Sequence, residues 1–328
     1  MKRIAADLGV SVTTISKVLN QHADIGPAMR ARVLKRVEEL GYRPNAVARS
    51  LSLKRTHTVG IIIPDLMHSF FVEIVSALEA SISRRGYGLL LCSSGEDARK
   101  ERSELEMLRA RQVDGIVLAS ANATGNTALL RDLTRMGIAL VMIDRDDHPK
   151  VSCHRVLTDD VEVGRLAAAH LVARRCRVIG HIAGPPILHS QRREEGYRRA
   201  LAATGMAIDA RHLAAGGFME ADGYRAMQQL LSATPRVDGV FAVNDPAAIG
   251  AMKAVWDAGL RVPDDVAIVG AGDVAYSDLI RVPLTTVRWS KSEVGTSAAD
   301  LILDQIEGEG VRPKRVIIAP ELIVRQSA

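Results

Sequence analysis

Apolar residues recur every three to four positions in three short stretches at the start of the chain, and in short unbroken runs after that. Ile4, Ala5 and Leu8 stand at helical spacing, and Gly9 ends that stretch because glycine tolerates a left-handed cap. Ser11 is placed to cap a second helix, on which Ile15, Val18 and Leu19 share one face and Val12, Thr13, Ser16 and Lys17 the other. Gly26-Pro27 opens a third helix, with proline in the first turn, where its missing N–H costs little. Val33, Val37 and Leu40 form the buried stripe of that helix, and Gly41 ends it. The pattern predicts an all-α helix-turn-helix head. From residue 58 it changes. TVGIII (58–63), GLLLC (88–92), DGIVLA (114–119) and IALVMI (138–143) read as buried strands, with helices near 71–85, 97–111 and 126–136. A second series follows: RVIGHIA (177–183), HLAA (212–215), DGVFAV (238–243) and VAIVG (266–270), with helices near 160–173, 191–204, 221–231 and 245–258. Strand-helix alternation predicts an α/β fold of doubly wound parallel sheets with helices on both faces, and the two series predict two similar lobes.

The polar face of the second helix carries short side chains and one cation. Such a face can approach base edges: Thr13 and Ser16 donate or accept, Val12 meets a thymine methyl, and Lys17 suits guanine O6/N7 or a phosphate. Spacing alone also admits a small surface helical hairpin, and charge separates the two readings. Residues 1–55 hold eleven Lys/Arg against four Asp/Glu, a net of +7. The whole chain carries +5, so the remainder is −2. The excess positive charge is confined to the head, the footprint of phosphate binding rather than of a generally basic protein. No apolar run approaches the ~20 residues that span a bilayer, and the N-terminus is charged and amphipathic rather than a signal peptide. Cys92, Cys153 and Cys176, an odd number without metal-ligand spacing, suit structural thiols in a reducing cytoplasm.

GVSVTTISKVLN, ELGYRPNAVARSL and TVGIIIPDLMHSFF, in that order, resemble the lactose-repressor (LacI/GalR) family of bacterial regulators, and the resemblance runs over essentially the whole chain. It implies a homodimer on a near-palindromic double-stranded DNA operator, with recognition helices in the major groove and Ser11, Val12, Thr13, Thr14, Ser16, Lys17 and Asn20 at the DNA. It also implies a short hinge helix from Asn45 to Leu51, with Leu51 wedged into the minor groove at the operator centre. The residues suit that role: Asn45 as a cap, small Ala46 and Ala48 for close pairing of two hinges, and an apolar wedge. Pro44 prevents a simple continuation of the third helix, and residues 44–55 also read as a flexible linker. The implied core is two-lobed and periplasmic-binding-protein-like. The expected divisions are a head at 1–43, a hinge and linker at 44–57, one lobe from 58–157 with 290–320, and the other from 158–289 with 321–328. Two features depart from the family. The chain opens at Met1-Lys2-Arg3, inside the first helix, where relatives usually carry several earlier residues. Lys17 stands where Arg is commoner, and lysine lacks the planar fork for bidentate guanine reading. No heptad pattern follows Glu321 to Arg325, which suits a dimer rather than a tetramer.

In open α/β sheets, ligands sit beyond the carboxyl ends of the strands. Asp65, His68, Phe70 and Phe71 follow the first strand, Ser120 the third, and Asp144 and Arg145 the fourth. In the second lobe come Ser190 to Arg193, Gly217-Phe218, Asn244-Asp245 and Gly272-Asp273. Facing one another across a cleft, these carboxylates, amides and aromatic faces suit a sugar or sugar derivative. The resemblance adds that Arg193, in AGPPILHSQRREEGY, inherits an effector-binding arginine. It assigns Asn244 and Asp245 through VNDPAAIGA, Asp144 and Arg145 through MIDR, and a ring-stacking place to Phe218. Plainer roles remain open: Asn244 and Asp245 as helix caps, Asp65 as a turn residue, one of Phe70 and Phe71 in the core, and His68 and His189 in solvent. Where relatives carry an acidic ligand contact this chain has Gly272, with Asp273 as its substitute or as a residue that only holds a loop. Trp289 replaces the usual Gln, as a stacking surface or as hinge packing.

No P-loop, nucleophile elbow or His/Cys cluster occurs, and the paired acids stand in turn-like settings, so no enzyme activity, metal or cofactor is expected. The reading is a cytoplasmic, ligand-responsive repressor of carbohydrate-utilisation genes. Two alternatives stay open: a regulator with a purine or nucleoside co-repressor, and a solute-binding sensor without a regulatory DNA role.

Overall fold

Among the described residues of the first unit of the chain, Met1–Thr56, lie three helices, α1 (Lys2–Leu8), α2 (Val12–Leu19) and α3 (Pro27–Glu39). The computed structural model describes residues 1–19, 24–42, 55–121, 125–146, 148–308 and 312–328. Gly9 caps α1 at φ 65°, and the Ser11 hydroxyl accepts the Thr14 N–H (3.0 Å) at the start of α2. Gly26 precedes Pro27 in the first turn of α3, and Gly41 follows that helix at φ 57°. Ile4, Ala5, Ile15, Val18 and Val33 form the core, with Leu8, Leu19, Val37 and Leu40 packed around them. An ion pair from Arg36 to Asp7 (2.6 Å) ties α3 to α1. The apolar seam read from the sequence is thus the one that closes the bundle. Asn20, Asn45, Ala48 and Leu51 lie outside the described residues.

The second unit, His57–Ala328, contains two six-stranded sheets. One has the order β11 (Arg315–Ile318), β5 (His154–Thr158), β4 (Ala139–Ile143), β3 (Gly115–Leu118), β1 (Thr58–Ile63), β2 (Gly88–Ser93). The other has the order β12 (Glu321–Ile323), β10 (Thr285–Arg288), β9 (Ala267–Ala271), β8 (Gly239–Ala242), β6 (Ile179–Ala183), β7 (Leu213–Ala215). Every pairing is parallel except β12 on β10. The central strands β3, β4, β8 and β9 are buried along their whole length, as parallel strands covered on both faces must be. Helices α4 (Ser69–Arg84), α5 (Ala98–Ala110) and α6 (Thr127–Arg135) follow β1, β2 and β3. Helices α7 (Asp160–Ala173), α8 (Leu188–Ala202), α9 (Glu220–Ser232) and α10 (Asp245–Asp257) belong to the second sheet, and α11 (Lys291–Glu307) packs on the first.

All eight strands expected from apolar runs are present. The four that were not expected, β5, β10, β11 and β12, are short and mix charged or hydroxyl residues with apolar ones. Where β5, β10 and β11 end, the chain passes from one sheet to the other. Two glycines fix a helix contact that matters for the cleft. A Cβ on Gly164 of α7 would lie 1.8 Å from the Arg193 carbonyl oxygen, and one on Gly196 of α8 would lie 1.9 Å from that of Val161. The two helices therefore touch backbone to backbone. No helix among the described residues is long and apolar enough to cross a membrane. Cys92 and Cys153 are buried free thiols, and burial pushes them up to about 12 and about 11, which leaves them protonated and structural.

Candidate functional site

The carboxyl ends of the strands surround a cavity of about 230 Å³ between the two sheets. The first strand's loop and α4 contribute Asp65, His68, Phe70 and Phe71. Both phenylalanines are largely buried and both line the cavity, so neither is given over to the core alone. Their rings meet edge to face at 5.2 Å, and Phe70 meets Trp289 at 5.4 Å. Trp289, 3% exposed, serves as packing and as cavity wall at once. On the opposite side His189 stacks on Phe218 with ring centroids 5.3 Å apart. Neither histidine is in open solvent: His189 is buried, and His68 is half-buried at the N-cap of α4.

Asn244 both caps and faces the cavity. Its Oδ1 accepts the Ala247 N–H (3.0 Å), which fixes the amide, so Nδ2 donates to the Phe218 carbonyl (2.9 Å) and toward His68 Nε2 (3.1 Å). His68 Nε2 must then be the acceptor, and the proton sits on Nδ1. That Nδ1 has no partner among the described residues, nor does His189 Nδ1. Burial lowers both imidazoles below their ordinary value, His189 well below it, so both are neutral at physiological pH. Both nitrogens are buried beside the aromatic faces of the cavity.

Arg193 reaches the cavity from α8. Its Nε donates to Asp160 Oδ1 (2.9 Å), Nη1 donates to the Val243 carbonyl (2.8 Å), and the guanidinium lies 5.0 Å over the Trp289 ring. The close contact of α7 and α8 at Gly164 and Gly196 brings this pair together. Burial pushes the Asp160 carboxyl up to about 7 against the pull of Arg193. Asp144, in a left-handed conformation at φ 63°, and Arg145 line the side made by the first sheet.

Three expected contacts are not among the lining residues. Ser120 is buried, its hydroxyl set between Glu101 Oε2 and His148 Nε2 (3.0 Å each); only its carbonyl acts on the cavity, by accepting from Arg145. Asp245 is fully buried and accepts from the Val274 N–H and from the hydroxyls of Ser277 and Thr286, so it braces the loop after β9. Asp273, at φ 48°, turns its carboxylate to Arg325 (2.7 Å) instead of replacing the acid missing at Gly272. Conversely, Glu96 lines the cavity without having been expected. It follows β2, the edge strand of the first sheet.

On the head, Val12 and Thr13 are exposed and Ser16 and Lys17 half-exposed, opposite buried Ile15 and Val18. Ser11 and Thr14 hydrogen-bond to each other and cap the helix start. Lys17 pairs with Asp24 on the surface, a contact of little energetic weight that a phosphate or base can replace.

A basic helix-turn-helix joined to a two-lobed core with a ligand-sized cleft defines a ligand-responsive, DNA-binding transcription regulator. Residues 1–45 match the family described as bacterial regulatory proteins, lacI family, and residues 168–328 match the periplasmic binding protein-like domain. The chain is 32% identical over its whole length to the HTH-type transcriptional repressor PurR of Mannheimia succiniciproducens, of which 98% is covered. It is 33% identical to the ribose operon repressor of Escherichia coli K12, again over the whole chain, covering 99% of that protein. Among solved structures, the complex of the transcriptional regulator CelR with cellobiose matches at TM-score 0.78 and 31% identity, over 99% of this chain and 98% of that one. The lac repressor dimer bound to operator shares the fold at TM-score 0.86 and 24% identity, over 99% of this chain and 97% of that one. The chain belongs to the lacI family of bacterial regulatory proteins.

Proposed function

We propose that the protein works in the cytoplasm as a homodimeric repressor of carbohydrate-utilisation genes, released from a near-palindromic operator when a small sugar-like effector fills the cleft. The observation that carries this reading is one cavity lined both by aromatic faces (Phe70, Phe71, Phe218, Trp289) and by hydroxyl-binding groups (Asp65, His68, Asp144, Arg193, Asn244). Rings stack on the C–H faces of a sugar while carboxylate, amide and imidazole groups hold its hydroxyls. A ribose operon repressor and a regulator complexed with cellobiose among the relatives support a sugar. Effector binding alters how the lobes close and so biases the pairing of two hinge segments, residues 44–57, on DNA. Val12, Thr13, Ser16 and Lys17 meet the bases and phosphates. The role involves no chemical turnover.

The relatives named PurR favour a second reading, a purine or nucleoside co-repressor, since the same rings stack on a base. A thermal-shift screen of sugars, sugar derivatives and nucleosides, followed by operator-binding assays with each hit, separates the two. A sugar that raises the melting temperature and weakens operator binding supports the first reading. A nucleoside that raises it and tightens operator binding replaces the first with the second.

A further inference from the structure

Arg145 is the group of the cleft best suited to grip a ligand carboxylate or phosphate, and its fork is already filled. Nη1 and Nη2 donate to the two carboxylate oxygens of Glu96 at 2.8 and 2.7 Å, the bidentate geometry a ligand carboxylate would take. Nη1 also donates to the Ser120 carbonyl (2.9 Å), and the side chain is 3% exposed, so the guanidinium is held in place. Glu96 is presented by a left-handed turn, Gly95 at φ 61° and Glu96 at φ 57°, and its N–H donates to the Pro64 carbonyl. The second arginine of the cavity, Arg193, is met by Asp160. Both cavity histidines are neutral, and Asp65, Asp144 and Asp222 add three further carboxylates to the lining.

The described lining therefore sets four carboxylates, of which Asp222 is paired with Arg225, against two guanidiniums, each of which already has a carboxylate partner. An anionic ligand gains no new ion pair here. To reach Arg145 it must displace Glu96, which leaves two carboxylates where one stood, inside a cavity that is already negative. Uncharged hydroxyls meet no such cost, because carboxylates accept their hydrogen bonds directly. The cavity measures about 230 Å³ and opens between the two sheets.

We propose that Glu96 sets the charge of the ligand: the cleft takes one uncharged polyhydroxylated ring and turns away rings bearing carboxylate or phosphate. This rests on the reading of the cleft as a polyol site. The test is calorimetric titration of the full chain with matched probes: D-glucose, D-glucuronate and glucose 6-phosphate; D-galactose and D-galacturonate; D-ribose and ribose 5-phosphate. Within any series that binds, the neutral ring is expected to bind at least about tenfold tighter than its charged counterpart. Glu96→Gln keeps the shape and removes the charge, and should narrow that gap by about tenfold, chiefly by a gain for the acid. Glu96→Gly, which suits the left-handed backbone, should narrow it likewise and guards against a loop distorted by the first variant. An acid that binds the unmodified protein as tightly as its neutral counterpart overturns the proposal, as does a ratio unchanged in both variants, while the polyol reading stands. If no ring of either charge binds, the polyol reading falls and this inference falls with it.

Discussion

Arg193 illustrates how one side chain serves both the fold and the cleft. Its charge is balanced by Asp160, and its face packs over Trp289. Arg193→Ala should abolish the ligand response at concentrations that saturate the unmodified protein, while operator affinity stays within about threefold, since the head is untouched. Operator-binding anisotropy with and without ligand checks this, and a normal response would remove Arg193 from the site. His181 makes a separate prediction. It lies stacked between Tyr197 and Phe241, with Nδ1–H donating to the Phe241 carbonyl (2.9 Å), and burial lowers it from the usual 6.5 to about 4. The unfolded chain takes up a proton below 6.5, whereas the folded chain does so only near 4. Stability is therefore lost as pH falls through that window, by up to ~3 kcal/mol from this residue. His181→Leu should flatten the pH dependence of unfolding there by about one proton, read from denaturant midpoints at several pH values. At this scale Arg193 and Asn244 were legible, because local motifs carry them to the cavity. Ser120, Asp245 and Asp273 were not, because a side chain at a strand end turns to the cleft or to the scaffold according to partners distant in sequence, such as Thr286 for Asp245 and Arg325 for Asp273.

Among the elements, the pair α7 and α8 is the most constrained. The clash that a Cβ would make with backbone oxygens at Gly164 and Gly196 cannot be relieved by turning a side chain. Gly196→Ala should separate the helices, lower stability by ~1–3 kcal/mol or more, and loosen the Asp160–Arg193 pair. A drop in melting temperature accompanied by weaker ligand binding checks this, and an unchanged melting temperature would show that the helices are not in backbone contact. The element pattern was largely readable. Buried parallel strands appear as unbroken apolar runs and the helices between them as 3.6-residue stripes, which is why β1 to β4 and β6 to β9 were expected. Strands β5, β10 and β12 hold no more than three apolar residues in a row, and the run Val316 to Ala319 of β11 stands beyond the two strand series; in the first three, Arg155 answers Asp146, Arg288 answers Glu321, and Thr285 and Thr286 hydrogen-bond to Ser327, Ala328 and Asp245. Their strand character comes from neighbours supplied by the rest of the fold, which periodicity does not contain.

For the whole molecule, charge divides the labour: the net +7 lies in the first 55 residues, and the remainder, which forms the cleft, is slightly acidic. A head with that excess binds DNA with a strong salt dependence, and a cleft of neutral imidazoles and paired arginines binds something other than DNA. These two activities are coupled in one chain. The most direct test is operator affinity, measured by fluorescence anisotropy at fixed salt, on a near-palindromic site from DNA that the protein controls, without ligand and at a saturating concentration of a cleft ligand found by thermal shift. Ligand is expected to weaken operator binding by about 5- to 150-fold, the range of typical allosteric coupling. Identical affinity in both conditions would contradict that coupling.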